Sequence, residues 1–161
     1  MGENRHLTVS DIMQRGVVVV YSTAYLAEAA RLMLDHGINS LPVLDESDRL
    51  VGMIGIRDVL RVPTPSGSET PILKWDRLDD KAQSLRTTTV KAVMARRVVA
   101  VDESASIVDV AALMANRGLH PIPVMRGDEL LGVVGRADVV KALLELESAS
   151  SESEVANRAG L

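Results

Sequence analysis

The chain has no cysteine and no phenylalanine among its 161 residues, and only one tryptophan and two tyrosines. Without cysteine, disulfides, thiolate metal ligands and thiol nucleophiles are all excluded. With aromatics at 2%, the core has to be assembled from Val, Leu, Ile, Met and Ala. A basic excess is missing too: the net charge is −4 and the pI about 5.4. Duplex DNA or RNA needs a basic footprint, and single strands need aromatics interleaved with Arg and Lys, so nucleic acid is not expected as the main partner. No apolar run approaches the length of a membrane span. Met1-Gly2-Glu3-Asn4-Arg5-His6 lacks an apolar signal core. No membrane partner is expected, and a reducing cytoplasm is the expected compartment. His6, His36 and His120 lie far apart without ligand spacing, so no metal site is expected. No serine sits in a GxSxG-like elbow. No nucleophile–base pair stands out, and an enzyme is not expected.

What the chain does have is an internal repeat, the feature to be read before any other because it decides the fold. Met13 matches Met94, Leu32-Met33 matches Leu113-Met114, and Gly37 matches Gly118. Pro42-Val43 matches Pro123-Val124, Gly52 and Gly55 match Gly132 and Gly135, and Asp58-Val59 matches Asp138-Val139. Met94 lies 81 residues after Met13, whereas Gly132 lies 80 after Gly52, so one residue is lost in the turn after the Pro-Val strand. Half a chain of this length is near the lower limit for an independent core; two halves packed into one unit are expected.

Thr8 followed three residues on by Asp11 reads as a helix start. The β-branched run Val17–Val20 reads as a short buried strand. Leu26, Ala29, Ala30 and Met33 fall on one helical face, which Gly37 ends in a left-handed conformation. Leu41–Leu44 and Leu50–Ile54 read as an antiparallel pair around the turn Asp45-Glu46-Ser47-Asp48, and a helix is expected from about Ile56. The second half repeats the order: Val98–Val101, a helix from about Ala105 to Arg117, Gly118, Ile122–Met125, Leu130–Val134, and a helix from about Arg136 to Leu146. The resulting division is a first repeat over 8–62, a linker over 63–88, a second repeat over 89–147 and a flexible, Ser/Glu/Ala-rich tail over 148–161. The linker carries Pro63, Pro65, Pro71 and Trp75, with a short helix expected within Ile72–Leu85. Trp75 is expected to cover the linker against its own domain, the alternative being an anchor for a partner or the dimer mate.

The chemistry-bearing segment is Gly52-Met53-Ile54-Gly55-Ile56-Arg57-Asp58, which recurs as Gly132-Val133-Val134-Gly135-Arg136-Ala137-Asp138. In each, an apolar strand ends at a glycine, a helix begins, and an aspartate follows about one turn in. Glycine lets a ligand approach the backbone closely. A helix start offers free N–H groups and a positive dipole end, which favour phosphate. A carboxylate there can accept both hydroxyls of a ribose diol. Two readings stand from the residues alone: ribose acceptors, or acids that only stabilise helix starts. Duplication does not decide, since a structural device would be duplicated as well.

These segments resemble the cystathionine β-synthase (CBS) domain, and the tandem pair resembles a Bateman module. The resemblance rests on Met13, the helix through Ala30 and Met33, Gly37-Ile38-Asn39-Ser40-Leu41-Pro42-Val43 and Gly52 to Asp58. It continues through Met94, Met114, Gly118-Leu119-His120-Pro121-Ile122-Pro123-Val124 and Gly132 to Asp138. It implies an α+β (α/β-like) fold of two repeats, each roughly α-β-α-β-β-α, packed through their sheets with pseudo-two-fold symmetry. It further implies clefts that bind AMP, ADP, ATP or S-adenosylmethionine as a regulatory ligand, with no cofactor required, and a homodimer. By position, Asp58 and Asp138 would hold ribose. Val17, Val18, Leu41 and Pro42, or Val98, Val99, Ile122 and Pro123, would sandwich adenine. Arg57 and Arg136 fall where phosphate is contacted, and Asn39, Ser40 and His120 at polar phosphate positions. Ile38, Leu119 and Pro121 complete the ligand-binding loops.

The family pattern has Ser or Thr three residues before the aspartate; here Gly55 and Gly135 stand there, so one polar contact is lost in each site. Arg136 and His120 stand where the first copy has Ile56 and Asn39, which makes the Asp138 copy the expected tighter site for a phosphorylated ligand. The plainer alternatives are a solvated surface arginine and a turn histidine. The expected role is a stand-alone regulatory pair that signals ligand occupancy to an unknown protein partner. The alternative is a structural dimerisation module with vestigial, non-binding clefts.

Overall fold

Thirteen elements follow the repeat order in the computed structural model, which describes residues 7–62, 78–119 and 121–158. The first half gives α1 (Val9–Ile12), β1 (Val20–Tyr21), α2 (Leu26–Asp35), β2 (Ser40–Leu44), β3 (Leu50–Gly55) and α3 (Ile56–Leu60). Then come α4 (Leu78–Thr87), α5 (Val90–Val93), β4 (Val101–Asp102), α6 (Ile107–Arg117), β5 (Ile122–Arg126), β6 (Glu129–Val134) and α7 (Arg136–Arg158). The α+β reading and the α-β-α-β-β-α order of each repeat are thus borne out. Two three-stranded sheets form, in the orders β1-β2-β3 and β4-β5-β6. In each, the outer short strand runs parallel to the middle one and the last two strands are antiparallel.

The helix ends obey the sequence. Gly37 and Gly118 both take left-handed backbone, at φ 62° and 63°, where a side chain would be strained. Asp11 accepts from the Thr8 N–H at 2.8 Å, closing the start of α1.

Two expectations need correction. The Val17–Val20 run pairs only from Val20, and Val98–Val101 only from Val101. The register explains this: Val20 lies opposite Val43 and Val101 opposite Val124, so the next pairs back would fall on Pro42 and Pro123. Proline has no N–H to donate, and the ladder stops there. The last helix does not end near Leu146 but runs to Arg158. Glu, Ala and Ser tolerate helix well enough, and Ser148 and Ser150 satisfy their hydroxyls on the carbonyls of Leu144 and Leu146, at 3.0 and 2.9 Å. A helix does lie in the linker, described over Leu78–Thr87, and Lys81 donates to the Leu60 and Val62 carbonyls at the end of α3. Trp75 lies outside the described residues.

The sequence repeats and the compact units do not coincide. One unit is Val18–Val98; the other joins the chain up to Val17 to the chain from Val99 onward. Each unit therefore takes its leading short helix from the other repeat. In the Val18–Val98 unit, Val90 and Lys91 of α5 donate to the Ala24 and Ser22 carbonyls at 2.8 and 2.9 Å. Its core is aliphatic, with Leu26, Leu41, Val43 and Ile54 fully buried beside Met33. In the other unit, Val9 of α1 donates to the Ala105 carbonyl at 2.8 Å, and Val9, Val110, Ile122, Val124 and Val134 are fully buried. Core volume built from Val, Leu, Ile and Met meets the shortage of aromatics noted above.

Candidate functional site

Residues after each leading helix close onto the last strand of the same unit. Met53 and Ala95 exchange two backbone hydrogen bonds, both 2.9 Å, and Gln14 and Val133 exchange two of 2.8 and 3.0 Å. Such pairing demands that the backbones come very near, and glycine permits it. A Cβ on Gly52 would stand 3.0 Å from the Ala95 carbonyl oxygen and 2.6 Å from the Met94 sulfur. A Cβ on Gly132 would stand 2.7 Å from both the Gln14 oxygen and the Met13 sulfur. These two matched glycines are therefore steric, not ligand-facing. The Met13/Met94 match is explained by the same contact.

In the Val18–Val98 unit the strand–glycine–helix junction is held tightly. Ser40 pairs with Gly55, Leu41 with Ile54 and Pro42 with Met53. Ile56 donates to the Asn39 carbonyl at 2.9 Å. Asp58 reaches back to accept from the Gly55 N–H at 2.8 Å through Oδ2. Asn39, Ser40, Gly55 and Asp58 are thus brought together. Among the described residues Oδ1 of Asp58 has no hydrogen-bond partner. Ionised carboxylate oxygens offer about four acceptor positions, so the group retains most of its capacity. Val18 and Ile38 pack half-buried against the core beside this junction, and Arg57 is exposed.

The second unit repeats the junction. Ile122 pairs with Val134 and Pro123 with Val133. Asp138 accepts from the Gly135 N–H at 2.7 Å. Here, however, the carboxylate has a second partner: Gln14 Nε2 lies 3.2 Å from Oδ1 and 3.2 Å from Oδ2. Leu119 packs half-buried against the core, Val99 and Pro121 are half-buried, and Arg136 is exposed. His120 lies outside the described residues. Val17 falls in the unit of Asp138 and Val98 in that of Asp58, so neither shares a unit with the aspartate it was grouped with.

Gln14 is the residue that sequence reasoning missed. Its partner is 124 residues away. The available signal was its match in the repeat, Ala95, 81 residues on, whose side chain has no donor to offer.

Of the two glycines that stand where the family pattern has a hydroxyl, Gly135 is the tighter, since a Cβ there would stand 3.3 Å from Asp138 Oδ2. A Cβ on Gly55 would meet the Asn39 oxygen at 3.5 Å and Asp58 Oδ2 at 3.6 Å, ordinary contacts, and its backbone is extended at φ −120°. Gly55 is also the N-cap of α3, where Ser is preferred over Gly by a few tenths of a kcal/mol. Gly55→Ser is expected to keep or slightly raise the melting temperature and to tighten a hydroxyl-seeking ligand roughly three- to tenfold. Thermal melts and calorimetry check this; a loss of several degrees would show that the junction has no room.

Among the described residues no helix is long and apolar enough to cross a membrane, and no group of three or more His, Asp or Glu is placed to hold a metal ion.

Comparison with known proteins agrees with this geometry. A CBS domain model matches residues 9–64 and again 90–145. An uncharacterized 17.7 kDa protein of Acidianus ambivalens is 28% identical over 141 residues, covering 87% of this chain and 75% of its own. The CBS domain of a CBS domain containing membrane protein from Sphaerobacter thermophilus is 31% identical, with TM-score 0.70 over 85% of this chain and 88% of that one. CBSX2 of Arabidopsis thaliana, in its structure in complex with AMP, is 25% identical, with TM-score 0.68 over 87% of this chain and 98% of that one.

Proposed function

This chain belongs to the CBS domain family, carrying the domain twice, and from that premise we propose that it is a regulatory module that binds an adenosine-containing ligand and signals its occupancy to a protein partner. The observation that carries the reading is the Asp58 carboxylate. It is fixed by the Gly55 N–H, half-buried, and keeps Oδ1 uncommitted among the described residues, as an acceptor for a ribose diol must. Asp138 occupies the matching position. Val18 and Ile38, both half-buried, then offer apolar surface for adenine in one unit, as do Val99, Leu119 and Pro121 in the other, whereas Leu41, Pro42, Ile122 and Pro123 are buried and leave only their backbone to a ligand. Arg57 and Arg136 supply charge toward phosphate. The AMP complex of CBSX2 supports this ligand class, with AMP, ADP, ATP and S-adenosylmethionine as the candidates.

A thermal-shift panel of these four ligands tests the reading. A ligand at a hundred times its dissociation constant should stabilise the fold by about 2.7 kcal/mol. No shift with any of them would turn the reading toward a structural dimerisation module. The glycines at 55 and 135, where the family pattern has a hydroxyl, are the observation that favours this second possibility.

The same reading includes a cytoplasmic homodimer. Val140 and Leu144, one turn apart on α7, are large apolar side chains at 55 and 61% exposure, a pair that a second copy would cover. Light scattering is expected to give twice the chain mass of 17.3 kDa; a monomer with and without nucleotide would contradict it.

A further inference from the structure

We propose that Gln14 closes the Asp138 site to ribose, which leaves the Asp58 site as the one that takes ligand. The proposal rests on the adenosine reading and decides which of two matched sites is used. An ionised carboxylate only accepts hydrogen bonds, so the NH2 of the Gln14 amide faces it. That group sits 3.2 Å from each oxygen of Asp138, where the two hydroxyls of a diol would have to donate. The side chain is aimed by its own backbone, which is locked both ways to Val133. Ala95 is locked both ways to Met53 in the same manner, but its methyl carries no donor. Asp58 accepts, among the described residues, from Gly55 alone. Each carboxylate accepts the same backbone N–H, that of the glycine three residues before it, and among the described residues Asp138 has one donor more.

A ligand entering at Asp138 has to displace a hydrogen bond to a charged group, a penalty of about tenfold or more in affinity. This reverses the ranking expected from Arg136 and His120. It makes residues 14 and 95 the switch between the sites.

Calorimetric titration with AMP tests it on three proteins. Wild type is expected to bind one AMP per chain. Gln14→Ala is expected to bind two, the second within about tenfold of the first. Ala95→Gln is expected to weaken the remaining site at least tenfold, with an unchanged melting temperature. Both variants retain the main-chain pairing, and circular dichroism verifies that they fold. Two equivalent AMP molecules on wild type, or a single one on Gln14→Ala, would overturn the role of Gln14 while leaving the adenosine reading in place. No AMP on either protein would overturn that reading, and the role of Gln14 with it.

Discussion

Asp58→Ala is expected to weaken AMP binding by roughly ten- to a hundredfold, because a charged acceptor for two ribose hydroxyls contributes about 1.5–3 kcal/mol. The change also removes the acceptor of the Gly55 N–H, a 2.8 Å bond, so some stability should be lost as well. Asp58→Asn separates the two effects. Its amide oxygen can still accept from Gly55, while the charge and one acceptor are gone. Both variants should lose affinity, and Asn should melt closer to wild type. Calorimetry and a melting curve on each provide the check. Asn binding AMP as tightly as wild type would mean that the carboxylate only caps α3.

The second large effect is purely steric. Gly132→Ala is expected to lower the melting temperature by roughly 5–15 °C, the consequence of a loss of about 2–4 kcal/mol. The new methyl would stand 2.7 Å from the Gln14 carbonyl oxygen. That oxygen is held by the Val133 N–H at 3.0 Å, so the backbones must separate and their paired hydrogen bonds lengthen. Gly16→Ala is the control, since nothing lies within 4 Å of the position a Cβ would take; it should melt at or slightly above wild type. A Gly132→Ala protein within a degree of wild type would show that the segment around Gln14 is not anchored where it stands.

Elements whose cause is local were legible in the sequence. The left-handed glycines 37 and 118, the amphipathic α2, and the antiparallel pair on either side of Asp45–Asp48 all follow from residues within a few positions of one another. The repeat then doubled each signal. Failures arose where the deciding partner is elsewhere. Val17–Val19 have every intrinsic preference for strand, yet the strand they would extend along meets Pro42. The apolar periodicity fades near Leu146, yet the backbone continues α7 to Arg158 because no proline or glycine interrupts it before Gly160. The exchange of α1 and α5 between units is invisible to periodicity, since each short helix looks the same whichever core it joins. The aspartates were identified by their position after a glycine, whereas the difference between them was not. That difference is a glutamine 124 residues from the carboxylate it contacts.

The central claim is that Asp58 holds the ribose diol of an adenosine ligand. Its most direct measurement is the calorimetric affinity of the wild-type chain for AMP beside that for 2′-deoxy-AMP, repeated on Asp58→Asn. Wild type is expected to prefer AMP by roughly tenfold or more, and Asp58→Asn to show little preference between the two. Equal affinity of wild type for both nucleotides, or a preference that survives unchanged in Asp58→Asn, would contradict it.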